Sequence, residues 1–140
     1  MGIEQRKNLV LEAQRLAELF GVSDRVRFEH GVFGETSAPA ADAYYLYNPF
    51  GENLFGPDDA LDGQVELSNR RFVEDTRAVE TLLRAAPIGT HLITYNGFGG
   101  KVPTSYRLVY SARDLPCLLR LWTKVTTSER GDGAYDISLV

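Results

Sequence analysis

A glycine-rich run, two histidines and a single cysteine are the features of this 140-residue chain whose residue types invite chemistry. Asn96-Gly97-Phe98-Gly99-Gly100 has the glycine density of a phosphate cradle. Such a cradle needs its glycines to open a helix whose N–H groups point at the anion. Here the run follows an apolar segment and leads into Lys101-Val102-Pro103, so it reads as a flexible lip beside a pocket or as a simple turn. His30 and His91 are too few and too poorly partnered to form a metal site, and none is expected. Cys117 is the only cysteine, which excludes an internal disulfide. With Leu118, Leu119 and Leu121 beside it, a buried reduced thiol is expected rather than a nucleophile.

The elements that position these residues follow from hydrophobic spacing. Leu9, Ala13, Leu16, Ala17 and Phe20 recur at helical intervals, and Gly21 stands where a helix commonly stops. From Arg25 to Glu29 apolar Val26 and Phe28 alternate with charged neighbours, as in a half-buried strand ended by His30-Gly31. Ala43-Tyr44-Tyr45-Leu46-Tyr47 is a continuous apolar run, suited to a strand covered on both faces, with the tyrosines read as core. Asn48-Pro49, a turn-forming pair, ends it. The stretch from Phe50 to Leu67, rich in glycine and aspartate, reads as a long loop of the kind that often carries function. Ser68 is a good helix cap, followed by Phe72, Val79, Leu82, Leu83 and Ala86 on one face and closed by Pro87. His91 to Tyr95 reads as a strand. Tyr106 to Tyr110 and Leu118 to Val125 have no helical pattern between them and should pair as an antiparallel hairpin. The tail from Thr126 to Ala134 is polar and expected to be mobile. The expected fold class is therefore α/β, a mostly parallel sheet with an antiparallel edge hairpin at the C-terminal end.

Composition bounds the partners. The net charge is −4, with acids and bases intermixed, which argues against unaided binding to nucleic acid or anionic lipid. Glu4, Arg6, Lys7 and Glu12 leave no signal-peptide apolar region, and no stretch approaches a membrane span. A cytoplasmic protein without membrane association is expected.

Four stretches resemble class I S-adenosylmethionine-dependent methyltransferases, a Rossmann-like family, from their second strand onward. Gly2-Ile3-Glu4 resembles the end of the second strand, and the segment Val22 to Gly31 the third strand and its approach. The segment Ala41 to Phe50 resembles the fourth strand and its motif, and Pro87-Ile88-Gly89-Thr90 the turn before the fifth. The resemblance runs to about Val125 and implies a single, incomplete methyltransferase-like domain over residues 1–140. The family's first strand and glycine loop would precede Gly2, so a fold truncated at its N-terminus is expected, through a late start codon or a natural fragment.

The resemblance also implies roles for residues. Glu4, with Gln5 beside it, would accept hydrogen bonds from the cofactor's vicinal ribose hydroxyls; otherwise it is an ordinary acid at a strand end. His30, Gly31, Val32 and Phe33 would flank the adenine, with Val32 standing where the family often has an acid. Asn48, Pro49 and Phe50 would form the target site, with Asn48 also near the cofactor. The Asn48 side chain and the Pro49 carbonyl would aim an acceptor nitrogen, and the aromatic ring would stack on a flat substrate. This sequence has one proline there, followed by Gly51, and a plain strand-ending turn is the alternative. The implied function is methyl transfer from S-adenosylmethionine to an unidentified acceptor, a small molecule or a protein side chain. Nucleic acid is disfavoured by the charge. The alternative is a non-catalytic remnant that self-associates or complements a partner chain, because an absent central strand leaves open sheet edges.

Overall fold

The computed structural model describes residues 1–112, 118–129, 131 and 134–137, so Cys117 lies outside the described residues. The chain forms two compact units, residues 1–38 with 61–66, and residues 39–60 with 67–140.

In the first unit β1 (Gly2–Glu4) and β2 (Phe28–His30) run parallel, joined by helix α1 (Lys7–Leu19). Gly21 ends α1 as expected. It sits at φ +63, and the Val22 and Gly21 N–H groups return to the Ala17 and Glu18 carbonyls at 2.9 and 3.0 Å. This is the paired C-terminal closure that a left-handed residue permits. The expected apolar face packs only in part, through Ala17 and the half-buried Ala13. Val10 and Ala17 are buried, whereas Leu9, Leu16 and Phe20 stay exposed, Phe20 at 72%. Two strands of three residues offer α1 only a narrow surface, and a narrow surface covers a narrow stripe. The strand beginning expected at Arg25 starts instead at Phe28.

In the second unit a four-stranded sheet has the order β3-β4-β7-β6, built from β3 (Ala43–Tyr47), β4 (His91–Tyr95), β6 (Tyr106–Ala112) and β7 (Leu119–Lys124). β3 and β4 are parallel, and β7 and β6 continue the sheet antiparallel, as the hairpin reading required. Helix α2 (Asn69–Ala85) connects β3 to β4. The Ser68 hydroxyl accepts the Arg71 N–H at 3.2 Å, so the expected cap is present. Val79, Leu83, Leu92, Phe98 and Val102 are 0–2% exposed and form the core of this unit.

The far end of α2 is held by a buried cation. Lys124 Nζ donates to the Leu83 and Arg84 carbonyls at 3.0 and 2.6 Å, and the Tyr106 hydroxyl donates to the Leu83 carbonyl at 3.2 Å. A cation at a helix C-terminus meets both orphan carbonyls and the negative end of the helix dipole. Burial lowers the Lys124 pKa from its ordinary value, with Glu129 opposing.

Two expectations need correction in this unit. The glycine run is neither lip nor turn: Gly97–Val102 is strand β5, paired antiparallel with β8 (Ala134–Ile137), which begins in the tail expected to be mobile. The glycines serve α2 rather than a phosphate. A Cβ on Gly99 would stand 2.4 Å from the Phe72 ring, and Glu80 accepts the Lys101 N–H at 2.7 Å. Nor is β3 covered on both faces. It is the edge strand of its sheet, and Tyr45 and Tyr47 are 59% and 63% exposed, so these tyrosines are not core. The loop after β3 contains two short 3-10 turns, Gly51–Leu54 and Pro57–Asp59.

Candidate functional site

Ligands of open α/β sheets bind beyond the carboxyl ends of parallel strands. In the first unit those ends bring Glu4 opposite His30 in the β1–β2 register, and the Gly31 N–H donates to the Glu4 carbonyl at 3.0 Å. His30 Nε2 lies 3.1 Å from the Gln5 carbonyl. Glu4, Gln5, His30 and Gly31 therefore form one group. Val32 and Phe33 follow in a loop folded back on itself, where the Val32 carbonyl accepts the Glu35 and Thr36 N–H groups at 3.2 and 2.8 Å. Gly31 lets that loop close, since a Cβ there would lie 1.9 Å from the Thr36 hydroxyl.

The Glu4 carboxylate is oriented from below. Its Oε1 accepts the Arg6 N–H at 2.8 Å, leaving the acceptor capacity of the second oxygen for a ligand. The Arg6 side chain is 4% exposed and donates through Nε to Asp62 Oδ1 at 3.1 Å. That same oxygen accepts the Gln64 N–H at 3.0 Å. A buried guanidinium is kept only where it is paired and hydrogen-bonded, so Arg6 and Asp62 are structural supports of this strand end. Neither carries a motif signal, because the partners stand 56 residues apart. A cleft of about 260 Å³ between Gln14, Ala17, Ser23, Arg27 and Phe28 opens at the other, amino end of β2 and is not the ligand end.

Asn48, Pro49 and Phe50 belong to the second unit, at the carboxyl end of β3. The Asn48 N–H donates to the Tyr95 carbonyl at 3.0 Å, and its φ of +37 turns the chain sharply out of the sheet. Gly51 has its reason here: a Cβ would lie 2.6 Å from the Asn48 amide nitrogen, so the side chain folds over the glycine. Asn48 and Pro49 are exposed. Phe50 is 7% exposed, so its ring packs inward, and the ring that stands open beside this turn is Tyr47.

Among the described residues no group of three or more His, Cys, Asp or Glu side chains is placed to hold a metal ion. Among the same residues no helix is long and apolar enough to cross a membrane.

No protein-family model matches this chain, and no curated protein matches it in sequence. Solved structures do. An RNA methyltransferase from Salinibacter ruber, in complex with S-adenosyl-L-homocysteine, aligns with a TM-score of 0.56 and 23% identity, over 89% of this chain and 64% of that one. The mitomycin 7-O-methyltransferase MmcR aligns with a TM-score of 0.55 and 16% identity, over 88% of this chain and 41% of that one. The chain thus spans less than two-thirds of the length of either. Parallel β1–β2 and β3–β4 pairs, helices between their strands and an antiparallel β6–β7 edge give it the fold of the class I S-adenosylmethionine-dependent methyltransferases.

Proposed function

We propose that this chain carries the cofactor and acceptor ends of an S-adenosylmethionine-dependent methyltransferase, a cytoplasmic protein acting on an acceptor that is not nucleic acid. The observation that carries the reading is the Glu4 carboxylate, fixed by the Arg6 N–H at the carboxyl end of a parallel pair. A carboxylate with one oxygen anchored and the other available suits a vicinal diol, whose two hydroxyls need acceptors on one group. The residues present therefore fit the ribose end of such a cofactor. When bound, the cofactor supplies a methyl group on a sulfonium, with a neutral thioether as leaving group.

In this reading Glu4 and Gln5 hold the ribose, while His30, Gly31, Val32 and Phe33 border the adenine. Asn48 and the Pro49 carbonyl orient the acceptor. Positioning is the main task, since in-line displacement at a sulfonium needs little proton transfer. The net charge of −4 supports a small molecule or a protein side chain over RNA.

Calorimetric titration with S-adenosylhomocysteine tests the proposal. Micromolar binding by the unaltered chain is expected, weakened about tenfold or more in Glu4→Ala, since a hydrogen bond to a charged group contributes roughly 1.5–3 kcal/mol. A well-folded chain that binds none would overturn it.

One observation favours a second reading, a non-catalytic chain completed by another polypeptide. β1 pairs only with β2 and β3 only with β4 among the described residues, leaving one edge of each strand open. Open edges are templates for strand addition. Light scattering across a concentration series reads this directly. A mass rising with concentration supports self-association; a concentration-independent monomer counts against it.

A further inference from the structure

The two parallel strands of the second unit end in the same four-residue pattern. Tyr47-Asn48-Pro49-Phe50 closes β3 and Tyr95-Asn96-Gly97-Phe98 closes β4. The pattern is repeated in structure as well as in sequence. Both asparagines are left-handed, at φ +37 and +59, and both phenylalanines turn inward, 7% and 1% exposed. Left-handed non-glycine residues are uncommon, asparagine being the side chain that tolerates the conformation best. The Asn48 N–H is tied to the Tyr95 carbonyl, and Asn96 Oδ1 accepts the Leu118 N–H at 3.0 Å. Each strand end is thus pinned below by a buried ring and held sideways by a hydrogen bond.

What this arrangement displays is a pair of stacked rings. Tyr47 and Tyr95 are partners in the strand register, with centroids 4.9 Å apart and planes within 9°. Tyr95 covers one face of Tyr47, and Tyr47 remains 63% exposed. An aromatic face backed by a second ring at the carboxyl end of a parallel pair is a surface for another flat π system.

We propose that the Tyr47–Tyr95 stack is the floor on which a planar aromatic acceptor lies, with the exposed Asn48 at its edge. The acceptor role rests on the methyl-transfer reading; the binding of an arene does not. Stacking on an aromatic side chain tolerates any planar ring, so a small phenol and a free nucleobase share the needed chemistry. Asn48 adds a group that can donate to or accept from a ring hydroxyl or amine.

The test uses the full chain and two probes of like size and polarity, 2-naphthol and decahydro-2-naphthol, with guanosine monophosphate as a third arm. Binding is followed by the shifts of ligand and tyrosine ring protons. 2-Naphthol is expected to bind with upfield ring-current shifts, and the saturated analogue to bind at least several-fold more weakly. Tyr47→Ala should weaken 2-naphthol roughly tenfold, Tyr47→Phe should retain it within about twofold, and Tyr45→Ala should leave it unchanged. Tyr45 is equally exposed on the same face but stands two residues back from the strand end.

Guanosine monophosphate binding with the same dependence on Tyr47 would extend the ligand class to nucleobases. Equal binding of the saturated probe would overturn the proposal, because it would mean a general apolar face. So would an equal loss in Tyr45→Ala, or no loss in a folded Tyr47→Ala. The cofactor titration is separate: an arene that binds a chain unable to take S-adenosylhomocysteine would leave the floor standing and remove the methyl-transfer reading.

Discussion

Gly99→Ala is expected to destabilise the second unit by roughly 3 kcal/mol, lowering the denaturant midpoint without changing the slope of the transition. Two independent costs combine. Gly99 sits at φ +81, a backbone region that costs an L-residue about 1–2 kcal/mol. Its added Cβ would also meet the Phe72 ring at 2.4 Å, and overpacking of this kind costs roughly 1–3 kcal/mol. Phe72 stands in the first turn of α2, so a shift of the ring disturbs the helix where Ser68 caps it. The two costs separate in a second variant. Phe72→Leu in the Gly99→Ala background shortens the obstructing side chain and should return the steric part while leaving the backbone part. A loss below about 0.5 kcal/mol would show that β5 does not need its glycine.

The same residue explains why β5 escaped the sequence. Strands are recognised by β-branched and aromatic residues in alternation, and Gly97-Phe98-Gly99-Gly100 has one such residue in four. The glycines are there because α2 lies close on the backbone of β5, a tertiary reason that no local pattern carries. Elements whose signal is local were legible: the Ser68 cap, the Gly21 stop, the turn at Asn48-Pro49, and the β6–β7 hairpin inferred from the missing helix pattern. Ala43–Tyr47 was placed correctly as a strand but not in its environment. A continuous apolar run implies two covered faces only inside a sheet, and β3 is an edge. Helix α1 has apolar residues on more than one stripe, and periodicity alone could not say that Val10 would be buried with Ala17 while Leu9, Leu16 and Phe20 stay exposed.

The candidate site divides in the same way. Glu4 was placed at a strand end through the family resemblance and His30-Gly31 through the alternation that stops there, and the parallel register brings the two ends together. Arg6–Asp62 was not, since a long-range ion pair leaves no spacing to read. Phe50 was legible as an aromatic in a suggestive motif, but its burial was not, and the exposed ring next to that turn belongs to the residue before the motif.

Above pH 10 the second unit should lose stability in a way that depends on one hydroxyl. Burial, with a smaller contribution from Tyr44, pushes the Tyr106 phenol up to about 12, against an ordinary value near 10. Its hydroxyl is a donor to the Leu83 carbonyl at the end of α2, and a phenolate cannot donate. The folded-state pKa is raised, so the stabilisation is complete below pH 10, where both states hold the proton. Between pH 10 and about 12 the unfolded chain has lost its proton while the folded chain keeps it. Stability then falls by about 1.4 kcal/mol per pH unit, to a total of at most roughly 2–3 kcal/mol. Lys124 runs the other way. Its pKa is lowered, so its linkage raises stability with pH and is complete by its ordinary value near 10.5, leaving the upper part of the window to Tyr106. Two measurements check this. Ultraviolet titration of the folded protein should show a tyrosine phase near pH 12 that is absent from Tyr106→Phe. Denaturation midpoints measured across the same range should fall in the unaltered chain. Tyr106→Phe should cost about 1 kcal/mol at neutral pH for the lost hydrogen bond and then show a flatter alkaline profile. An equally steep fall in Tyr106→Phe would mean that other groups unlock α2 from the sheet, and that the Leu83 carbonyl is held by Lys124 alone.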